Sequence, residues 1–129
     1  ELGLGNGRTY HHIREIMPDR DIFVFERAVA SNPDSTPADD RLILGDVYDT
    51  LPAALSRFCA TAGLIHADLG GHNLEKNDAF AKAISPLVEP LLAMGGVMVS
   101  SDKMYFENLQ EIALPKDAVP GRCFIYQRQ

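Results

Sequence analysis

The chain has 129 residues, 46% of them hydrophobic, and a formal net charge of −6. That length suits one domain around one core, and the hydrophobic share is that of a folded protein. The acidic balance argues against a general nucleic-acid binder, which needs a cationic face, and no apolar run approaches the ~18 residues of a membrane span. The chain opens on Glu1 and a motif rather than on the basic start of a signal peptide. Its two cysteines, Cys59 and Cys123, are too few and too far apart for a disulfide scaffold or a zinc site. They read as buried thiols in a reducing compartment, so a cytoplasmic protein is expected.

Glu1-Leu2 reads as the tail of a strand cut off at its start. Gly3, Gly5 and Gly7 then alternate with other residues, and an acid stands ahead of them. Glycine allows φ > 0 and close backbone approach, and a glycine turn feeding a helix N-terminus suits a polar or anionic ligand. Tyr10, Ile13 and Met17 follow helical spacing over Arg8 to Met17, and Pro18 ends that helix. Asp21 to Glu26 is a short β-favouring run of the buried parallel kind, closed by an acid. Residues 28–40 are a loop by composition, long enough to be functional or mobile.

Arg41 to Asp46 is the next strand, again ending in an acid. Thr50 is placed to cap a helix over Leu51 to Ala62, with Pro52 in its first turn and Gly63 at its end. Leu64 to Leu69 is a third strand, broken by Gly70-Gly71. Asn73 caps a helix from about Leu74, in which Pro86 and Pro90 predict a kink or two stacked helices ending near Met94. Gly95-Gly96 turns into the strand Val97 to Ser101. From Asp102 there is room for one or two helical turns before Gln110 to Leu114, which pairs with Arg122 to Gln127 as an antiparallel hairpin. The pattern is a mostly parallel α/β sheet with an antiparallel edge.

Acids therefore close successive strands at Glu1, Glu26, Asp46 and Asp68. Ligands of open α/β sheets bind outside the carboxyl ends of the strands, and clustered carboxylates repel one another unless donors meet them. A ribose diol suits Glu26, an exocyclic amine suits Asp46, and an α-ammonium suits the region of Glu1 and Asp68. A dinucleotide site needs G-x-G-x-x-G, but Arg8 occupies the third glycine position and Gly7 comes one residue early. An acid at position 1 would also repel a pyrophosphate. A ligand with an amino acid at one end and adenosine at the other fits better.

At these positions the chain resembles the class I S-adenosylmethionine-dependent methyltransferases. Glu1-x-Gly3-x-Gly5-x-Gly7, Glu26, Gly45-Asp46-Val47 and His66-Ala67-Asp68-Leu69 carry the resemblance, which covers essentially the whole chain. It implies a Rossmann-like three-layer α/β sandwich, with a mostly parallel seven-stranded sheet in order 3-2-1-4-5-7-6 and an antiparallel terminal hairpin. It implies S-adenosyl-L-methionine as cofactor. The glycine turn would lie against its methionine part, and Glu26, with Arg27 beside it, would meet the ribose. Asp46 and the Val47 backbone would read the adenine, and Asp68 would lie near the amino group and the transferred methyl. Residues 1–129 would be one such domain lacking most of its first strand and any N-terminal helix. The near loss of a helix between Ser101 and Gln110 suggests an open face suited to a homodimer.

Methyl transfer from a sulfonium is an in-line displacement, so alignment and exclusion of water dominate. A base is needed only when the acceptor loses a proton early. His72, in the loop after Gly70-Gly71, is the candidate catalytic base, while His66 reads as a core histidine. His11 and His12 are helix neighbours that diverge by about 100°, so no metal site is expected. Asp68-Leu-Gly-Gly71 is not an Asn/Asp-Pro-Pro-aromatic motif for a flipped base, and neither cysteine follows a proline. The expected acceptor is a small molecule, with a protein side chain next and no nucleic acid or membrane partner. The alternatives are a non-catalytic nucleoside- or cofactor-binding domain and, less well supported, an NAD-dependent oxidoreductase.

Overall fold

The structure is a computed structural model that describes all residues from Glu1 to Gln129. The residues fall into two compact units, Glu1–Thr50 and Leu51–Gln129. No helix is long and apolar enough to cross a membrane.

In the first unit, β1 (Val24–Glu26) and β2 (Leu42–Leu44) pair in parallel, with Glu26 opposite Leu44. Residues 1–3 run alongside β1. The Glu1 nitrogen donates to the Phe23 carbonyl at 3.0 Å, Phe25 N–H to Glu1 at 2.9 Å, and Gly3 N–H to Phe25 at 2.9 Å. The one β-bridge this makes is Leu2 to Phe25, parallel. The expected first strand is thus present as a single bridge. Helix α1 (Arg8–Ile16) follows the glycine turn and stops short of Pro18 as expected. Leu4, Tyr10 and Val24 form a buried cluster with Ile22 and Leu42 packed on it.

The 28–40 loop has more structure than its composition predicts. It holds two 3₁₀ turns, Pro33–Ser35 and Asp39–Arg41. The Asn32 side chain caps the first by accepting from Asp34 N–H at 3.1 Å. Thr36 Oγ1 donates back to the Asn32 carbonyl at 2.8 Å. Arg14 on α1 donates to the Asp34 carbonyl at 2.9 Å, which anchors the loop to the helix.

Helix α2 (Val47–Phe58) starts earlier than Thr50 predicts. Asp46 caps it instead: its Oδ1 accepts from Tyr48 N–H at 2.9 Å, and its carbonyl receives Asp49 and Thr50. The helix also ends before Gly63, because the chain is already in β3 (Ala62–Ala67). Ala60, at φ 53°, makes the turn between them without a glycine.

In the second unit the strand order is β3-β4-β6-β5, with β4 (Leu92–Ser100), β5 (Leu109–Ile112) and β6 (Phe124–Arg128). β3 and β4 are parallel, while β6 runs antiparallel to both β4 and β5. The terminal hairpin is therefore as expected. The single seven-stranded sheet is not: six strands form a two-stranded and a four-stranded sheet. A continuous sheet needs a full central strand to carry hydrogen bonds on both edges, and here that strand is only the Leu2 bridge.

Helix α3 (Leu74–Val88) is capped by Asn73, whose side chain accepts from Lys76 N–H at 2.9 Å. It runs through Pro86 as one helix, not two stacked ones, and a 3₁₀ turn at Glu89–Leu91 takes in Pro90. β4 starts at Leu92, so Gly95 and Gly96 lie inside the strand, where the register to β3 shifts between Ala62 and Leu64. A Cβ at Gly96 would stand 2.8 Å from the Ala93 carbonyl, so the irregular segment has no room for a side chain there. The cysteines differ from expectation as well: Cys59 is exposed and Cys123 half-buried.

The segment from Asp102 to Asn108 forms no helix at all. It is an irregular strap tied down by side chains. Tyr126 Oη accepts from Met104 N–H at 2.8 Å, and Ser85 Oγ accepts from Tyr105 N–H at 2.9 Å. The buried Glu89 carboxylate accepts from Glu107 N–H (3.0 Å), Asn108 N–H (2.9 Å) and Asn108 Nδ2 (2.6 Å). Glu89→Ala leaves these donors without a partner. The expected cost is about 1–3 kcal/mol, read as a lower Tm or urea midpoint.

Candidate cofactor site

The first unit brings the glycine turn and two strand-end acids together. Gly3, Gly5 and Gly7 take φ values of 86°, 54° and 84°, the left-handed region that glycine alone enters without strain. Gly7 is also closely covered. It caps α1, and a Cβ there would stand 2.3 Å from the Ser35 carbonyl oxygen. Gly5 is the opposite case: it is exposed, and nothing lies within 4 Å of where its Cβ would be. The turn is open on that side.

Glu26 closes β1 and turns its carboxylate onto this turn. Oε2 accepts from Leu4 N–H at 2.8 Å and Gly5 N–H at 3.1 Å. Oε1 accepts from Arg27 N–H at 2.6 Å and Ala28 N–H at 3.4 Å. Partial burial works to raise the Glu26 pKa, but the donors at Leu4, Arg27, Gly5 and Ala28 together outweigh it and hold the carboxyl below its ordinary range. Gly45 N–H donates to the Glu26 carbonyl at 3.0 Å, which brings Asp46 beside the end of β1. Val47 follows as the first residue of α2 and is buried, while Arg27 is exposed. Glu1 is placed by its backbone ladder to β1.

Asp68 and His72 belong to the second unit. Asp68 follows β3, and its Oδ1 accepts from Ser101 Oγ at 3.0 Å. His72 is exposed in the turn before α3. Asn77 holds that turn: its Oδ1 accepts from Gly71 N–H and its Nδ2 donates to the Gly71 carbonyl, both at 2.9 Å. A Cβ on Gly70 would stand 2.3 Å from Asp102 Oδ2, so a side chain there would displace the Asp102 carboxylate. Ser35, Asn77 and Ser101 are the positioning residues that sequence reasoning missed. Ser35 and Ser101 act on residues distant in the chain, so no local signal marks them, and Asn77, six residues from Gly71, passes for a position on a weak helical stripe. His66 is half-buried in β3. On α1, His11 is taken up by Arg14 at 3.1 Å and Glu15 at 3.3 Å.

These residues fit S-adenosylmethionine. The ends of β1 and β2 offer carboxylates, which are acceptors for hydroxyl and amine donors, beside a glycine turn open at Gly5. An α/β chain with this turn, strand-end acids and an antiparallel terminal hairpin has the features of a methyltransferase. The comparisons with known proteins agree. The family model described as S-adenosyl-L-methionine methyltransferase matches residues 1–128. The chain is 70% identical to the crystal structure of an S-adenosyl-L-methionine methyl transferase from Silicibacter pomeroyi DSS-3, with a TM-score of 0.96 over 99% of this chain and 78% of that one. No curated protein matches. The chain belongs to the S-adenosyl-L-methionine methyltransferase family and is an enzyme that uses this cofactor. The dinucleotide and non-catalytic alternatives are set aside.

Two measurements check the geometry. Gly7→Ala meets both a positive φ and the Ser35 carbonyl, and should cost about 1–3 kcal/mol of stability in chemical denaturation. The Glu26 bonds should also make stability pH-dependent. A depressed folded pKa means their contribution is full above the ordinary glutamate value of about 4.3 and is lost as pH falls from there through the folded value. Wild type should therefore lose more Tm than Glu26→Gln over that acid window.

Proposed function

We propose that the chain binds S-adenosylmethionine across the glycine turn and the ends of β1 and β2, on a Rossmann-like α/β frame, and methylates a small molecule. The observation that carries this is the Glu26 carboxylate bonded to an open glycine turn in the first unit, with Asp46 one residue beyond the Gly45 N–H that bonds the Glu26 carbonyl. The bound cofactor supplies an electrophilic methyl group on sulfur. The chain's own residues orient and desolvate. Glu26, with Arg27 beside it, receives ribose hydroxyls. Asp46 accepts from the adenine amine while Val47 offers its backbone, and Glu1 accepts from the α-ammonium.

Support for a small acceptor comes from the second unit. A cavity of about 190 Å³ lies at the end of β4, lined by Leu74, Asn77, Ser101, Asp102, Lys103 and Phe124 among others. Its wall includes Ser101, which bonds Asp68, and Asn77, which holds the turn bearing His72. We assign His72 as the base for an acceptor that must lose a proton. The absence of a helix between β4 and β5 favours the homodimer, and the acidic charge favours no role for nucleic acid or membrane. Two free cysteines, Cys59 and Cys123, suit the cytoplasm.

Titration calorimetry should show S-adenosylmethionine binding and no NAD binding, and the reverse result would sink the site assignment. Asp46→Ala should weaken cofactor affinity by about 1–3 kcal/mol, the value of a charged hydrogen-bond partner. With radiolabelled cofactor and a panel of small acceptors, His72→Ala should lower kcat about 10²–10⁴-fold with little change in cofactor affinity. Unchanged turnover would remove His72 from the chemistry.

A further inference from the structure

We infer that Glu26 is the positioning residue of the glycine turn: one carboxylate sets both the turn and the end of β1 before any cofactor binds. The inference rests on the cofactor site proposed above. It goes beyond a ribose ligand, because it makes the methionine end of the site depend on Glu26 too.

An ionised carboxylate offers roughly four lone-pair positions. Backbone donors already meet all of them, two from the turn at 2.8 and 3.1 Å and two from the chain after β1 at 2.6 and 3.4 Å. The turn needs this clamp at one particular place. Gly3 is tied to Phe25, and Gly7 is boxed in by Ser35 and bonded to the Leu4 carbonyl at 2.8 Å. Gly5 has neither constraint. It sits at φ 54° with open space around it, so Glu26 Oε2 is the group that holds its N–H. Leu4 is buried, and without Glu26 its N–H loses its acceptor where water is scarce. A hydroxyl donor that joins this carboxylate must displace or share a backbone donor. Ala28 N–H, at 3.4 Å, is the weakest and the one most readily given up.

Glu26→Asp separates the two roles. It keeps the charge beside Arg27 and Ala28 but is one methylene too short to hold Leu4 and Gly5. Glu26→Gln keeps the length but turns an amide group toward one pair of donors. In ligand-free protein, amide exchange at Leu4 and Gly5 should speed up about tenfold or more in both variants, the loss of a charge-assisted hydrogen bond, while exchange along α3 stays at the wild-type rate. Affinity should then fall in both variants for S-adenosylmethionine and for each half of it, 5′-methylthioadenosine and L-methionine, followed by NMR titration. Unchanged exchange at Leu4 and Gly5 would overturn the inference. So would a loss confined to 5′-methylthioadenosine, which would make Glu26 a ribose ligand alone. Wild-type protein that fails to bind S-adenosylmethionine would refute the cofactor site instead, and the exchange experiment, run without ligand, still decides the clamp.

Discussion

The first unit depends on the contact between one side-chain carboxylate and backbone amides on both sides of it. Glu26 lies at the end of a three-residue strand, where chain direction changes and N–H groups come free of the ladder. The glycine turn has the same problem from the other side, because positive φ values point its amides away from regular pairing. Each supplies what the other lacks. The carboxylate gains enough donors to remain ionised despite partial burial, and the turn gains an acceptor where packing cannot hold it.

The other strand-end acids are handled by the same logic with different partners. Asp46 spends one oxygen as a helix cap, and Asp68 receives a serine hydroxyl. In the second unit, Glu89 collects three donors from the strap before β5, and Asn77 pairs with both polar groups of Gly71. Acids that would repel one another as bare charges thus act as fasteners for irregular backbone. The loops that carry the proposed chemistry are held by polar side chains, in the glycine turn together with the burial of Leu4.

Much of this was legible in the sequence. The alternating glycines with an acid ahead, and acids at the close of β-favouring runs, carry their chemistry in local order. So do the helix after Gly7, the Asn73 cap and the terminal hairpin. What misled were features whose outcome depends on competition. Thr50 is a sound cap by type, but Asp46 caps first and the helix begins there. Two prolines looked like breaks, yet Pro86 sits in the last turn of α3, where losing one N–H interrupts little. The loop at 28–40 looked free by composition, and its order comes from Asn32, Thr36 and Arg14 acting across it.

By itself, the sequence determined the family, the cofactor class and the residues at the strand ends, because glycine geometry and acid placement are local properties that no packing choice can rewrite. Tertiary structure decided the rest. It set the strand orders, β1 beside β2 in the first unit and β3-β4-β6-β5 in the second. It also turned Glu26 toward Leu4 and Gly5, a contact between residues more than twenty positions apart that exists only once α1 and β1 have packed around Leu4, Tyr10 and Val24.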